Sequence, residues 1–406
     1  MVKESKSYKW ELLVILWLAY FLNQADRQIF SVVLPLIKAD LKLTDAQLGL
    51  IASVLIWTYG VLVPVAGFIG DRWSRKKIIG SSLFFWSIAT AFTGMCNTVT
   101  QFILLRGVAT GGAEAFYAPS ANALLSDEFQ KKRSLALSIH QTAVYFGIIL
   151  SGLIAGYIAE NYGWRNAFYL FGGFGVLISF IVFLRVKKDQ PAQVIEKVSV
   201  MATAKQVVKK PTVLLLTGAF ACMVFVNVGY LTWMPSLLMD KFGLSLTEAG
   251  FSAMFYHHLG AFIGVIAGGA LADYLSKFNA RNRLFVQAFA LLAATPFIYY
   301  IGKSNTPLAT YIALFIFGVF RGAYDSNIFA SLYEVIKPEI KSSASGLMIM
   351  SAFLVGAFSP LLLGIIKPTL GLSTALSWLW ISYFIGSLLI LIAALYYFKK
   401  DKELNS

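Results

Sequence analysis

The apolar residues of this chain fall into long runs that are separated by short polar connections. A transmembrane helix needs about 20 mostly apolar residues to cross a bilayer, and each run approaches or exceeds that length. The pattern predicts twelve transmembrane helices, at approximately 10–37, 45–70, 77–96, 99–125, 133–160, 164–186, 211–239, 246–272, 282–302, 306–335, 341–366 and 372–398. The one long connection, 187–210, is basic, and we expect a short amphipathic surface helix in it.

Composition excludes an ordinary soluble domain. Of the 406 residues 58% are hydrophobic and only 13% are charged, and the mean hydropathy is +0.70. The first apolar run is too long and too interrupted by polar residues to be a cleaved signal peptide. Cys96 and Cys222 lack the spacing of a zinc site or a disulfide framework. Neither a metal nor a cofactor is therefore expected.

The net charge of +14 would suggest nucleic acid in a soluble protein, but the charges are distributed by topology. Most Lys and Arg residues lie near the termini or in connections on the same side as the termini. The opposite side receives Lys38, Lys42, Arg165, Lys241, Lys303 and Lys367. By the positive-inside rule both termini face the cytoplasm. We expect a multi-pass protein of the plasma (bacterial inner) membrane that attracts anionic lipids and binds no nucleic acid.

Three arginines fall inside the apolar runs, and each has an acid near it in sequence. The arginines are Arg27, Arg106 and Arg321, and the acids are Asp26, Glu114 and Asp325. A charge at the bilayer centre costs roughly 2.5–3.5 kcal/mol, so it needs a paired, protein-lined or water-filled setting. These residues predict a polar central cavity, and guanidinium groups there suggest a carboxylate or phosphate substrate.

The two halves of the chain form a weak internal repeat at an offset near 200. The corresponding pairs include Pro35–Asp40 with Pro235–Asp240, Gly67 with Gly269, Asp71 with Asp273, and Asp127 with Glu334. The repeat makes Glu114 and Arg321 mates, and it also pairs Arg27 with Asn227.

The connection between the second and third spans, GFIGDRWSRKK at 67–77, resembles the cytoplasmic loop motif GxxxDRxGRK of the major facilitator superfamily. Ser74 stands where a glycine is usual, and the second-half copy has Tyr274 in place of the basic residue. Gly163-Trp164-Arg165 is also similar to that family. The resemblance implies an all-α membrane protein with twelve transmembrane helices in two pseudo-symmetric six-helix bundles, 1–186 and 211–406, joined by the loop 187–210. It also implies that the first, fourth, seventh and tenth helices line the cavity, so we expect four polar residues to converge at mid-membrane depth, namely Arg27, Glu114, Asn227 and Arg321.

Two further motifs resemble particular branches of that superfamily. Asn23-Gln24-Ala25-Asp26-Arg27 is similar to the NYxDR signature of organic anion:cation symporters and of Spinster-type lipid transporters. The fourth span resembles the Arg…GlyGluAla pattern of both. Eight residues separate Arg106 from Glu114 where seven are typical, which shifts Arg106 by about 100° on a regular helix. A bend at Gly111-Gly112 could absorb that difference.

The residues lead to three sets of candidate roles, and the gating set rests on the resemblance. We predict substrate binding by Arg27, Arg321, Asn227, Tyr117, Tyr324 and Gln141, proton coupling by Asp26, Glu114 and Asp325, and gating by Gly67, Asp71, Arg72, Arg75 and Asp273. The alternative is that these charges form static ion pairs between helices, or within one helix for Arg321 and Asp325. Asp26 and Arg27 do not share a helix face, so each must pair with another helix.

The leading function is proton-coupled symport of a small organic anion, such as a hexuronate, an aldonate or sialic acid, by alternating access. A Spinster-like lysolipid or sphingoid transporter and a neutral-sugar porter are the alternatives, and sodium coupling stays open. An enzyme is disfavoured because the chain has no metal spacing, nucleophile elbow or phosphate loop. We expect a monomer.

Overall fold

The computed structural model describes residues 6–70, 73–187, 200–337 and 340–403. Within those ranges the chain is all helical and contains no β-strand. It divides into two compact units, one formed by Met1–Ile195 with Ser245–Phe251 and the other by Glu196–Leu244 with Ser252–Ser406. Residues 188–199 of the predicted linker lie outside the described ranges, so its boundaries stay a prediction.

The first unit is built from the helices of the predicted first six spans. These are α1 (Lys6–Leu41), α2 (Asp45–Gly70), α3 (Arg75–Thr93), α4 (Val99–Phe102), α5 (Gly111–Glu114), α6 (Tyr117–Glu128), α7 (Arg133–Tyr162) and α8 (Trp164–Arg185). A π-helical turn, Ile103–Thr110, joins α4 to α5, and a 3₁₀ turn, Gln130–Lys132, precedes α7. The predicted fourth span is thus a series of short helical pieces.

The second unit is also helical in its described residues. A short helix, α9 (Val200–Val208), occupies part of the long connection. It is followed by α10 (Pro211–Phe242), α11 (Leu246–Ser276), α12 (Asn282–Lys303), α13 (Pro307–Asp325), α14 (Ile328–Glu334), α15 (Lys341–Gly356), α16 (Phe358–Leu370), α17 (Leu372–Ser377), α18 (Leu379–Ile392) and α19 (Phe398–Glu403). A π-helical turn, Ala393–Tyr397, joins α18 to α19. The first residues of α11 belong to the first unit.

Nine helical stretches of the described residues are long and apolar enough to cross a membrane. The three other predicted spans are helical as well, namely α1, α3 and the series α4 to α6. Large apolar side chains such as Phe85, Leu184 and Phe289 are more than half exposed, as expected for a surface that faces lipid. The count of twelve spans stays a prediction.

The core of the first unit joins α1, α3, α6, α7 and α8. Leu16, Leu83, Trp86, Tyr117 and Val182 lie in one buried cluster and are each at most 1% exposed. Leu16 comes from α1, Trp86 from α3 and Tyr117 from α6. This packing holds α1 against the fourth-span series, which fixes the polar residues on both.

The turn between α7 and α8 ties three helix ends together. Gly163 has φ of 91°, a left-handed conformation that favours glycine. The next two residues donate to the Oδ2 atom of Asp40 at the end of α1, Trp164 through Nε1 at 3.0 Å and Arg165 through Nη1 at 2.5 Å. Hydrogen bonds from Arg165 and Trp164 lower the pKa of the exposed Asp40. These two hydrogen bonds therefore stabilise the fold fully at a pH above the pKa of Asp40 in the unfolded chain. The stabilisation is lost as the pH falls through the lower pKa of Asp40 in the folded protein.

Helices α11 and α13 of the second unit approach each other through glycines. A Cβ atom at Gly264 would lie 1.9 Å from the carbonyl oxygen of Val319, and one at Gly318 would lie 2.0 Å from that of His257. Small residues let helix backbones come close inside a membrane, where van der Waals packing stabilises association. This close approach sets the distance between His257 on α11 and Arg321 on α13.

We predict that Gly264→Ala destabilises the protein by about 1–3 kcal/mol, because the added methyl group meets backbone that cannot move away. The matched control is Gly346→Ala on α15, where nothing lies within 4 Å of an added Cβ. Alanine is the better helix former, so the control should keep or raise the unfolding temperature. Thermal unfolding of the detergent-purified variants measures both, and equal unfolding temperatures for the two would contradict the close approach.

Candidate functional site

An ion pair between Arg27 of α1 and Glu114 of α5 forms the centre of the site in the first unit. The Nε atom of Arg27 donates to Oε2 of Glu114 at 2.7 Å. The Glu114 side chain is fully buried, and that of Arg27 is 13% exposed. The guanidinium lies over the ring of Tyr59 on α2, with its carbon 4.0 Å from the ring centroid.

Both partners of this pair keep hydrogen-bonding capacity. Across the described residues, neither Nη2 of Arg27 nor Oε1 of Glu114 has a hydrogen-bond partner, and both atoms are buried. A buried polar group without a partner is costly, and in native proteins such groups need an explanation. The geometry can accept an anionic group on the arginine and a proton on the carboxylate.

Asp26 pairs with a different residue of the fourth span from the one that its neighbour Arg27 contacts. Arg106 donates to Oδ1 of Asp26 at 3.1 Å and to its backbone oxygen at 2.6 Å. Thr90 of α3 donates to Oδ2 at 2.6 Å. Asp26 and Arg106 are 2% and 1% exposed. The expectation that Asp26 and Arg27 pair with other helices is thereby confirmed, and the Asp26 network fixes α1 to α3 and to the π-helical turn.

The eight-residue separation of Arg106 and Glu114 is accommodated by the π-helical turn at Ile103–Thr110. A π turn bonds residue i to i+5 and so absorbs an extra residue within a helix. The adjustment lies around Arg106 itself and not in a bend at Gly111-Gly112. The first of these glycines instead permits close packing on α2, since its Cβ would lie 2.6 Å from the carbonyl oxygen of Leu55.

Tyr117 lies in the bundle core and not on a cavity face. It is 0% exposed, and its hydroxyl donates to the backbone oxygen of Leu16. The same hydroxyl lies 3.2 Å from Nε2 of His140. A direct contact between Tyr117 and a substrate would require the hydroxyl to leave both partners. The observed geometry assigns Tyr117 to packing within the first unit.

The charged cluster of the second unit is centred on Arg321 of α13. Its Nη2 atom lies 3.1 Å from Oδ2 of Asp325, one turn later on the same helix. Its Nη1 atom lies 3.3 Å from Nε2 of His257 on α11. Because a guanidinium can only donate, this His257 nitrogen accepts the hydrogen bond, and the imidazole is neutral in this contact. His257 is fully buried and packs against the rings of Tyr230 and Phe317. The intrahelical pair, which the sequence left as an alternative, is the observed arrangement.

Three other predicted substrate contacts have different environments. Asn227 of α10 is half-buried, and its Oδ1 atom is buried with no hydrogen-bond partner among the residues that the structure describes. Tyr324 is 1% exposed, whereas Gln141 of α7 is exposed. Asn227 thus has the spare polar capacity that a ligand contact needs. The predicted convergence of both halves on one site stays a prediction of the repeat.

The predicted gate is described only in part, because Asp71 and Arg72 lie outside the described residues. Gly67 is part of α2, and nothing lies within 4 Å of an added Cβ there. Arg75, at the start of α3, forms an ion pair with Asp127 at the end of α6. This pair links two helix ends of the first unit.

A corresponding cluster occurs in the second unit. Arg283 donates to Oδ1 of Asp273 at 2.6 Å and to Oδ1 of Asn327 at 2.8 Å. Sequence reasoning did not assign a role to Asp127 or to Arg283. The internal repeat did single out Asp127, because it aligns Asp127 with Glu334. Glu334 also forms an ion pair, with Lys402 at 2.5 Å.

Comparison with known proteins agrees with this architecture. Residues 16–360 match the sequence model of the Major Facilitator Superfamily. Protein spinster homolog 1 of Xenopus tropicalis is 29% identical over 392 residues, which cover 89% of this chain and 74% of that protein. The hexuronate transporter of Bacillus subtilis strain 168 is 26% identical over 381 residues, which cover 89% of each chain.

A solved structure shares the fold along nearly the whole chain. It is the crystal structure of a bacterial homolog to the human lysosomal transporter Spinster, in an inward-facing and unoccupied conformation, and it superposes with a TM-score of 0.80. The alignment covers 98% of both chains at 22% sequence identity, which shows the fold alone. Together with the family match over most of the chain, this agreement shows that the protein belongs to the Major Facilitator Superfamily of membrane transporters.

Proposed function

We propose that this transporter carries a small organic anion, a sugar acid such as a hexuronate, an aldonate or sialic acid, in symport with a proton by alternating access. The observation that carries the proposal is the ion pair between Arg27 and Glu114, whose hydrogen-bonding capacity is only partly satisfied. Its guanidinium and its carboxylate each keep one buried polar atom without a partner among the described residues. A carboxylate substrate and a proton are the two groups that fit these atoms.

The substrate class follows from the chemistry of Arg27. A guanidinium recognises a planar carboxylate through paired N–H donors, and such charge-assisted bonds are about twice as strong as neutral ones. The aromatic face of Tyr59 below the guanidinium holds it in one orientation. The similarity to a hexuronate transporter supports the same class, because a hexuronate is a sugar that carries one carboxylate.

Coupling arises from competition for the arginine. When a substrate carboxylate binds Arg27, Glu114 loses part of its compensating charge in a buried setting. A buried carboxylate without a cation is stabilised by protonation. Substrate and proton therefore bind with positive linkage, which is the thermodynamic requirement for symport. Asp26 has a complete set of partners, so Glu114 is the stronger candidate for the coupling acid.

The second unit contributes Arg321, Asp325 and Asn227 in this proposal. His257 and Asp325 hold the Arg321 guanidinium in place. In this position Arg321 contacts the substrate while it keeps both partners. Arg75 and Asp273, with their partners, act as gate contacts at the helix ends. We place the protein in a bacterial inner membrane with both termini in the cytoplasm, and we propose that it works as a monomer.

A Spinster-like lysolipid transporter is the second candidate, since a spinster homolog is among the most similar relatives. One screen separates the two: thermal unfolding of the purified protein with sugar acids, sialic acid, dicarboxylates, neutral sugars and lysolipids. A ligand that binds the folded state stabilises it by RT ln(1 + [L]/Kd), so weak binders register at high concentration. Stabilisation by sugar acids supports the proposal, and stabilisation by lysolipids alone or neutral sugars alone rejects it.

The first prediction from this site concerns Arg27. Arg27→Gln combined with Glu114→Gln keeps the pair neutral and similar in shape, so no unpaired charge is buried. We expect this variant to fold but to bind a sugar acid at least about tenfold more weakly, because hydrogen bonds to a charged group contribute about 1.5–3 kcal/mol. Isothermal titration with glucuronate measures the affinity. The control is Arg165→Gln at the exposed end of α8, and unchanged affinity in the double variant would rule out an anion site at Arg27.

The second prediction separates coupling from binding. Glu114→Gln keeps a hydrogen-bond acceptor for Arg27 but removes the titrating group. In proteoliposomes we expect substrate accumulation driven by a pH gradient to fall to the level without a gradient, while exchange against internal substrate continues. Asp26→Asn, assayed in parallel, tests the other acid. Equal losses of accumulation and exchange in Glu114→Gln would assign Glu114 to structure or direct binding.

A further inference from the structure

Two acceptor oxygens of the second unit are buried without a donor. Oδ1 of Asn227 on α10 and Oδ1 of Asp325 on α13 have no hydrogen-bond partner among the residues described for this chain. An amide oxygen and a carboxylate oxygen accept hydrogen bonds and cannot donate them. A buried polar atom that stays unpaired costs free energy, so each of these oxygens favours a partner that brings an O–H or N–H group.

Asp325 can accept a further hydrogen bond without giving up its ion pair. Its other oxygen, Oδ2, lies 3.1 Å from Nη2 of Arg321, one turn earlier on the same helix. The side chains of Arg321 and Asp325 are 16% and 23% exposed, although both lie within the tenth predicted span. Charged residues within spans almost always face the bundle interior or a water-filled cavity. This partial exposure therefore favours access to Asp325 from a cavity.

Asn227 and Asp325 are joined through one connected set of side chains. Tyr230 lies one turn after Asn227 on α10, and residues three apart share a helix face. The Tyr230 ring packs against that of His257, with 4.7 Å between their centroids. Nε2 of His257 lies 3.3 Å from Nη1 of Arg321, which pairs with Asp325. The two oxygens without donors thus belong to neighbouring faces of α10 and α13.

Hydroxyl groups fit this arrangement better than a second anionic group does. The charges of Arg321 and Asp325 compensate each other, and His257 is neutral in its contact, so the cluster adds no net charge that would attract an anion. A hydroxyl can donate to either oxygen, and its bond to a carboxylate is about twice as strong as a bond between neutral groups. A sugar acid carries hydroxyls on several neighbouring carbons, whereas a simple carboxylate carries none.

We propose that Asn227 and Asp325 accept hydrogen bonds from substrate hydroxyls and so restrict this transporter to polyhydroxylated acids. This role rests on the proposed function, which assigns the substrate carboxylate to Arg27. The second unit thereby recognises the sugar, and the first unit recognises the carboxylate. An acid of similar size without hydroxyls leaves both oxygens unsatisfied and is rejected.

Isothermal titration of the purified full-length protein tests this with three probes. Glucuronate has both groups, cyclohexanecarboxylate has the carboxylate on a ring without hydroxyls, and glucose has the hydroxyls without the carboxylate. We expect glucuronate to bind at least about a hundredfold more tightly than cyclohexanecarboxylate, because a site that hydrogen-bonds a hydroxyl rejects the analogue that lacks it. Equal affinities for these two acids would overturn the proposal, since water alone would then satisfy both oxygens.

Glucose separates this proposal from the proposed function. Glucose that binds as tightly as glucuronate would reject a carboxylate site at Arg27 and with it the transport of an anion. Weaker glucose binding in Asn227→Leu would in that case still support recognition of hydroxyls by the second unit. Weak glucose binding beside tight glucuronate binding supports both roles.

Two variants identify the acceptors. Asn227→Leu has a similar shape without the acceptor and should weaken glucuronate binding about tenfold, while cyclohexanecarboxylate binding stays unchanged. Asp325→Asn keeps the shape but replaces a charged acceptor by a neutral one, so it should weaken glucuronate binding about threefold or more. The two variants test the two oxygens independently, and thermal unfolding confirms the fold of each.

The matched control is Thr232→Val on α10, which removes a buried hydroxyl that already donates to the carbonyl oxygen of Val228 on its own helix at 2.8 Å. It should leave the affinities for all three probes unchanged. An equal loss of both acids in Asn227→Leu would indicate a structural role and overturn the proposal. Wild-type glucuronate affinity in both Asn227→Leu and Asp325→Asn would overturn it as well.

Discussion

The fold depends on the requirement that every charge within the apolar spans be compensated by the protein itself. Burial limits the solvation of these groups by water, and an unpaired charge in a low-dielectric setting costs several kcal/mol. The first unit satisfies this with two crossed pairs, Arg27 with Glu114 and Arg106 with Asp26. Each pair joins α1 to the fourth-span series. The positions of these two elements are therefore fixed by charge as well as by packing.

The two pairs differ in burial and in how completely they are hydrogen-bonded. The Asp26 pair is almost fully buried, and both carboxylate oxygens have donors. The Arg27 pair is slightly exposed and leaves one polar atom on each partner without a hydrogen bond in the described part of the chain. In the proposed mechanism, the closed network holds α1 in place while the open pair beside it exchanges partners. Adjacent residues can take these two roles because neighbours on a helix point about 100° apart.

The sequence predicted the helical spans, the charged residues and the need for pairing between helices, because these follow from apolar length and the cost of burial. It did not predict which acid meets which arginine. That choice depends on the π-helical turn at Ile103–Thr110. The extra residue between Arg106 and Glu114 indicated an irregularity in the fourth span but not its position. Tyr117 was predicted to contact the substrate. A break in the helix after Glu114 instead turns it into the core.

The repeat also relates opposite charges, and in the proposed symport mechanism this bears on which half of the chain contains the coupling acid. Glu114 and Arg321 are mates by sequence offset, yet their partners differ in kind. Glu114 pairs with an arginine on another helix, whereas Arg321 pairs with Asp325 on its own helix and with His257. An intrahelical pair keeps its geometry when helices move, because both groups move together. A pair between helices changes with any shift of α1 relative to α5, so in the proposed symport mechanism conformational change acts on Glu114 more directly than on Asp325.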